Sequence, residues 1–280
     1  MEAARRWRGL VRARRREMER LAPRPLPAGR DGWDARARRS AGRHPLLSEA
    51  ATESDPFLAR VRRVTGRRTT VLDVGAGSGR FALALAARAA EVVAVDPSPA
   101  MLALLRRQVR RRHLANVACV EGRWEDVDVA PTDVAFSSYV LPLVEDAPAF
   151  VAKLDAVARR RCLLYLGAFT ADTIVDPLWR HFHGRPRQPG PTWLDAVDVV
   201  QEMGIDPAVE VVEVPSQTRF ATVAEAVDDY RDQLVLAPTP DVRRELRSIL
   251  SSWLVRDREG RLRLPLSTLP AAIIDWRPTG

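Results

Sequence analysis

Residues 71–80 read Val-Leu-Asp-Val-Gly-Ala-Gly-Ser-Gly-Arg. A β-branched run, Thr70–Val74, breaks into alternating glycines and passes directly into a stretch, Gly79–Ala90, with Phe81, Leu83 and Leu85 in its apolar part. This reads as strand, tight turn, helix. Glycine lets such a turn be sharp and lets a ligand approach the backbone without meeting a Cβ. The free N–H groups at the start of the following helix add to that attraction. Ordinary structural turns use the same residues, so the turn needs context. The next strand-like run, Glu91–Val95, ends at Asp96, 21 residues after Gly75. An acidic side chain there can accept hydrogen bonds from both hydroxyls of a ribose. Gly75, Gly77 and Gly79 follow G-x-G-x-G, not the G-x-G-x-x-G of dinucleotide sites.

Outward from this turn the chain alternates strand-like and helix-like segments. Further strands are expected at Val117–Val120, Val134–Ser137 and Cys162–Ala168, with helices from Ser98 to about Arg112 and at Ala147–Arg159. Ser98 is a good N-cap, with Pro99 at the first helical position. Such alternation implies a parallel sheet covered on both faces. Beyond residue 170 the pattern gives helices near 171–182 and 192–203 around the Pro-rich loop Gly184–Pro191, then a sixth strand, Val209–Pro215. Helices at 222–236 and 239–255 precede a last strand near Ala271–Trp276. The expected fold is α/β, a Rossmann-like doubly wound, mostly parallel seven-stranded sheet with N-terminal helices and a helical lid insertion at about 222–255. Three parts follow: residues 1–30 as a basic helix and linker, 31–68 as a helical covering segment, and 69–280 as the ligand-binding domain.

The net charge of +8 is unevenly spread. Residues 1–70 hold 19 Arg against 8 acidic groups, a surplus of 11, while the remaining residues carry a net of −3. Residues 4–21 form a basic amphipathic pattern with Trp7, Leu10, Val11, Met18 and Leu21 on one face. Lys153 is the only lysine, a near-total preference for Arg that points to coding bias and weakens any inference from Arg count to nucleic acid. No apolar run approaches the roughly 20 residues of a membrane span. The first residues hold no apolar h-region, so a secretory signal is not expected. Cys119 and Cys162 both lie in apolar strand-like runs and read as core residues. A cytoplasmic protein is expected.

The segments VLDVGAGSGR and VVAVDPSPAML (residues 71–80 and 92–102) resemble motifs I and II of the class I S-adenosylmethionine-dependent methyltransferases. The resemblance is strong over about residues 69–168 and general in layout beyond. It implies that Asp73 orients the methionine amino group, that Gly75, Ala76, Gly77 and Gly79 line the methionine portion, and that Asp96 holds the ribose. Pro97, Ser98 and Met101 would flank the adenosine, and Ser137 would lie on the cofactor side of the fourth strand. Asp133 matches the acidic residue of motif IV. After the third strand, Gly122-Arg123-Trp124-Glu125 occupies the region that often carries an acid reading the adenine amino group. Arg123 stands where that acid is expected, leaving Trp124 to cover the ring or Glu125 to accept. The implied cofactor is S-adenosylmethionine and the product S-adenosylhomocysteine.

Methyl transfer from a sulfonium relies mainly on holding nucleophile, carbon and sulfur in line. A general base is required only if the acceptor loses a proton as it attacks. Tyr139, just after the fourth strand, should face the transfer region, and His181 and His183 lie beyond the fifth; these three are the catalytic candidates. His44 is a weaker one. His181-x-His183 lacks further ligands for a metal, and none is expected. Leu141-Pro142-Leu143 stands where many small-molecule relatives carry histidines, and the nucleobase signature N-P-P-[YF] is absent. Trp33, Asp34 and Ala37 resemble the covering segment of small-molecule members. The leading expectation is therefore transfer to an O, N or C nucleophile of a small molecule. The alternatives are an RNA or protein methyltransferase using the basic N-terminal arm, or a non-catalytic scaffold with this fold. The acceptor and the oligomeric state are not readable from the sequence.

Overall fold

The computed structural model describes residues 1–22, 49–167, 171–216, 218–266 and 268–279. His44, Trp33, Asp34, Ala37 and the interruption at Pro45 lie outside them. Helix α1 (Glu2–Leu21) is followed by α2 (Glu49–Glu53) and α3 (Pro56–Val64). The alternating region holds β1 (Thr70–Val74), α4 (Arg80–Ala86), β2 (Glu91–Asp96), α5 (Pro99–Arg111), β3 (Val117–Glu121), β4 (Thr132–Ser138), α6 (Ala147–Val157) and β5 (Ala158–Gly167). Then come α7 (Ala171–His183), α8 (Trp193–Glu202), β6 (Ala208–Pro215), α9 (Val223–Gln233), α10 (Pro240–Trp253), a two-stranded ribbon β7 (Val255–Arg256) and β8 (Leu262–Arg263), and β9 (Thr268–Trp276).

The main sheet has seven strands in the order β3-β2-β1-β4-β5-β9-β6. The pairs among β1 to β5 are all parallel, and β9 runs antiparallel to both β5 and β6. The strand order turns outward from β1, which places a crevice at the carboxyl ends of β1 and β4, where open α/β sheets receive ligands.

Alternation along β1 divides the core. Leu72 and Val74 enter a cluster with Phe150, Leu154, Val199 and Trp276, beneath α6 and α8. Val71 points the other way, into Phe57, Leu58, Phe81, Leu85 and Leu105 from α3, α4 and α5. A third cluster, built from Trp179, Tyr230, Leu234, Leu246 and Leu250, joins α7, α9, α10 and the ribbon into a helical cap; Met18 and Leu21 of α1 pack against it. The helices expected near 222–236 and 239–255 are present, and α7 packs with them. Cys162 is buried in the first cluster, and Cys119 is partly buried.

The basic first helix is docked on the domain. Trp7 is fully buried and donates its indole N–H to the Val144 carbonyl at 2.7 Å. Arg6 pairs with Asp195 and Asp198, Arg8 with Asp146, and Arg12 and Arg15 with Glu145. The Glu202 carboxylate accepts the otherwise orphaned N–H groups of Glu2, Ala3 and Ala4. Each exposed ion pair adds little. Burial of Trp7, Ala4 and Val11 supplies most of the attachment.

Candidate functional site

The glycine turn closes as its sequence demands. Gly75, Gly77 and Gly79 all have positive φ, at 78°, 56° and 90°. At Gly75 a Cβ would come within 2.2 Å of Val140 Cγ2, and at Gly79 within 2.3 Å of Leu105 Cδ1. The first contact is instructive, because it presses the segment after β4 against the turn.

Asp96 organises the floor of the crevice. Its Oδ2 accepts the Gly77 N–H at 2.8 Å and its Oδ1 accepts the Ser98 N–H at 2.8 Å. The N–H groups of Gly75 and Ala76 donate to the Val95 carbonyl, and the Gly122 N–H donates to the Asp96 carbonyl. Ser98 caps α5 by accepting the Met101 N–H, and Met101 is buried behind it. Ser137 is buried and donates its hydroxyl to the Val74 carbonyl, bracing the end of β4 against β1. Gly75, Ala76, Gly77, Gly79, Asp96, Pro97, Ser98, Met101, Gly122 and Ser137 thus converge at the carboxyl ends of β1 to β4.

Asp73 stands out among them. It is 1% exposed, and its Oδ1 has no hydrogen-bond partner. Burial first, then the nearby Asp96 charge, push its carboxyl up to about 8, partly offset by a hydrogen bond from the Ala82 backbone. A buried carboxylate with an open lone pair is costly unless a cation or donor completes it. A ligand ammonium entering at the glycine turn would do so.

Other residues are placed differently from expectation. Trp124 turns inward: it is buried, donates its N–H to the Phe150 carbonyl at 3.2 Å, and carries the Lys153 ammonium 4.8 Å from its ring centroid. This is a packing arrangement, and it leaves Arg123 and Glu125, paired with each other at 3.5 Å, as the exposed members of that loop. Asp133 is at the wrong end of its strand for a motif IV acid, since its Oδ2 accepts the Thr70 N–H at 2.8 Å at the start of β1. His181 bonds Glu245 of α10 at 2.7 Å, and His183 bonds the Leu234 carbonyl at 2.8 Å while lying against Trp179. Both histidines are engaged in holding the cap together.

Tyr139 directly follows β4, one residue before the Val140 that abuts Gly75, and its backbone is unusual. Its φ is 58°, a conformation that costs a bulky residue free energy and persists only where the surroundings enforce it. Its N–H donates to the Tyr165 carbonyl at 2.8 Å, its neighbour Val140 rests on Gly75, and 44% of its side chain stays exposed. Beneath it runs a polar chain absent from the sequence reading. The Tyr139 ring lies 4.9 Å from that of Tyr165, whose hydroxyl donates to Asp55 Oδ1 at 3.0 Å. Asp55 also caps α3 through the Phe57 N–H and pairs with Arg80 at the first position of α4. Asp55 is fully buried, and burial raises the Tyr165 hydroxyl far above its ordinary value. The Asp-Pro dipeptide at 55–56 signals the cap, but nothing local to it signals Tyr165, 110 residues away.

Residues 71–161 match the model of a family described as methyltransferase domain. The chain is 35% identical over 111 residues to a malonyl-[acyl-carrier protein] O-methyltransferase of Xylella fastidiosa, covering 38% of this chain and 37% of that protein. It is 27% identical over 186 residues to an uncharacterized protein of Haemophilus influenzae, covering 66% and 67% of the two chains. Its fold superposes on the YcgJ protein of Bacillus subtilis with a TM-score of 0.54 and 16% identity, over 79% of this chain and 97% of that one. The chain therefore spans under two-fifths of the length of the Xylella enzyme. No helix among the described residues is long and apolar enough to cross a membrane.

Proposed function

We propose that this chain, whose residues 71–161 match a methyltransferase domain, is a class I S-adenosylmethionine-dependent methyltransferase that transfers the methyl group to a small molecule. The carrying observation is the orphaned, buried Asp73 carboxylate at the head of the glycine turn, with Asp96 across from it. Those two acids suit the two polar ends of the cofactor: Asp73 the methionine ammonium, Asp96 the ribose hydroxyls. When bound, the cofactor supplies a methyl group on a positively charged sulfur, a good leaving group.

The chain's own contribution is alignment and exclusion of water. In this reading the glycine turn admits the ligand to backbone contact, the packed helices α7, α9 and α10 serve as the cover that excludes water, and Tyr139, next to Val140 on Gly75, serves at the entrance. With Tyr165 and Asp55 behind it, Tyr139 is fixed in place and offers a phenol oxygen to an acceptor's O–H or N–H. We assign it an orienting role, since His181 and His183 are bonded to Glu245 and to the Leu234 carbonyl. The Xylella relative is named for O-methylation of a malonyl group on a carrier, which supports a small acyl or similar acceptor here. The pairing of Arg6, Arg8, Arg12 and Arg15 with carboxylates favours α1 as a docked structural helix over an RNA-binding arm.

Calorimetric titration with S-adenosylhomocysteine tests this reading. Wild-type protein should bind, and Asp96→Ala should weaken binding by more than about tenfold, as expected for lost hydrogen bonds to a charged group. Absence of binding to the wild type refutes the proposal.

A further inference from the structure

A second concave site lies at the opposite end of the strands, where β5 begins and β9 ends. A cavity of about 420 Å³ is lined by Val64 at the end of α3, by Arg159, Arg160 and Arg161 at the start of β5, and by Arg277 and Pro278 just after β9. It is about five residues down β5 from Tyr165, roughly 17 Å at the rise of a strand, so it is separate from the cofactor crevice.

Its charges do not balance. The buried carboxylate there, Asp275, is held by Arg60 at 2.8 Å and reached by Arg161 at 3.4 Å. Glu210 also pairs with Arg60, at 3.6 Å. Among the described residues no carboxylate pairs with Arg159, Arg160 or Arg277. The antiparallel register brings these cations together. Cys162 faces Trp276, so Arg161 and Arg277, which lies just past the end of β9, are the next residues along each segment. Coding bias explains why these cations are arginines; on α1 Arg6, Arg8, Arg12 and Arg15 are matched with carboxylates, whereas Arg159, Arg160 and Arg277 have none among the described residues and line one hollow.

Guanidinium groups match phosphate oxygens in paired, planar hydrogen bonds. The volume falls within the range of small-molecule pockets and exceeds the need of a single halide. We propose that this cavity binds a small phosphorylated anion carrying two or more negative charges, of the pyrophosphate or phosphate-ester class, through Arg159, Arg160 and Arg277. Val64 and Pro278 give the cavity an apolar side that suits the organic part of an ester. The proposal is independent of the methyl-transfer reading.

The test is calorimetry of the full chain with inorganic pyrophosphate, with inorganic phosphate, and with a single-stranded oligonucleotide. Pyrophosphate should bind more tightly than phosphate, raise the melting temperature, and bind more weakly as salt rises. The double variant R159S/R277S should lose at least about tenfold in pyrophosphate affinity. R159K/R277K, which keeps the charge without the planar fork, should fall between the two. Removing repelling charges should leave the melting temperature of the ligand-free serine variant unchanged or higher; a clear drop would show these side chains to be structural and overturn the surplus-charge argument. The proposal also fails if wild-type protein does not bind pyrophosphate, if the serine variant binds it equally well, or if only the oligonucleotide binds.

Discussion

Replacing Asp73 with Asn should move stability and ligand affinity in opposite directions. The Asp73 carboxyl is raised from 3.8 to about 8, with burial as the first cause and Asp96 as the second. Between those two values the folded protein holds a proton that the unfolded chain releases. The contribution of Asp73 to stability is therefore greatest at low pH and is lost as pH rises from about 4 toward 8. At 1.36 kcal/mol per unit, the fully unrelaxed cost at pH 7 would be about 4 kcal/mol, and relaxation around the buried group brings it to about 2–4 kcal/mol. Asparagine has the shape of the protonated acid and titrates nowhere in this range. The ligand-free Asp73→Asn protein should thus melt roughly 5 °C or more above wild type at pH 7, with the gap widening toward pH 8. Binding should show the reverse. A ligand ammonium needs the ionised carboxylate, so wild-type affinity for S-adenosylhomocysteine should tighten by about tenfold per pH unit between pH 6 and pH 7 and level off near pH 8. The variant should bind more weakly and with a flat profile. Scanning calorimetry and titration at pH 6, 7 and 8 read both quantities. A variant that melts below wild type, or a wild-type profile that is flat across this range, refutes the reasoning.

Two other substitutions probe the frame. Gly75→Ala places a Cβ where Val140 Cγ2 now sits, on a backbone with φ of 78°; it should abolish most S-adenosylhomocysteine binding while costing only about 1–3 kcal/mol of stability by denaturant melts. Trp7→Ala empties the fully buried contact between α1 and the domain and should destabilise by about 3–5 kcal/mol. A loss of under about 1 kcal/mol would show that α1 is not part of the cooperative fold.

What the sequence disclosed and what it hid divide along a physical line. The glycine turn, the Ser98 cap and the strand-ending Asp96 were legible because each is dictated by backbone chemistry within a few residues. The seven strands were legible from their β-branched runs, with ends off by a few residues, as at β5, which begins at Ala158 instead of Cys162. Asp133 was misplaced because adjacency to a strand's apolar core does not tell which end of the strand carries the ligand. Trp124 is a candidate to cover the adenine ring by its place after β3, whereas its N–H finds the Phe150 carbonyl on a helix 26 residues on. The Tyr165–Asp55–Arg80 chain and the convergence of Arg159 to Arg161 with Arg277 depend on tertiary pairing, and no local signal marks them.

The cap that Glu202 places on the first turn of α1 has a consequence for how the protein is made. Helix α1 is synthesised before α8, and the Glu202 carboxylate that caps it is encoded 200 residues after Glu2. At the usual pace of synthesis the apolar face carrying Trp7 and Val11 waits roughly 10–40 s for that surface. During that interval a dense row of arginines flanks an uncovered tryptophan, so the nascent chain presents a basic amphipathic helix that the finished protein has hidden.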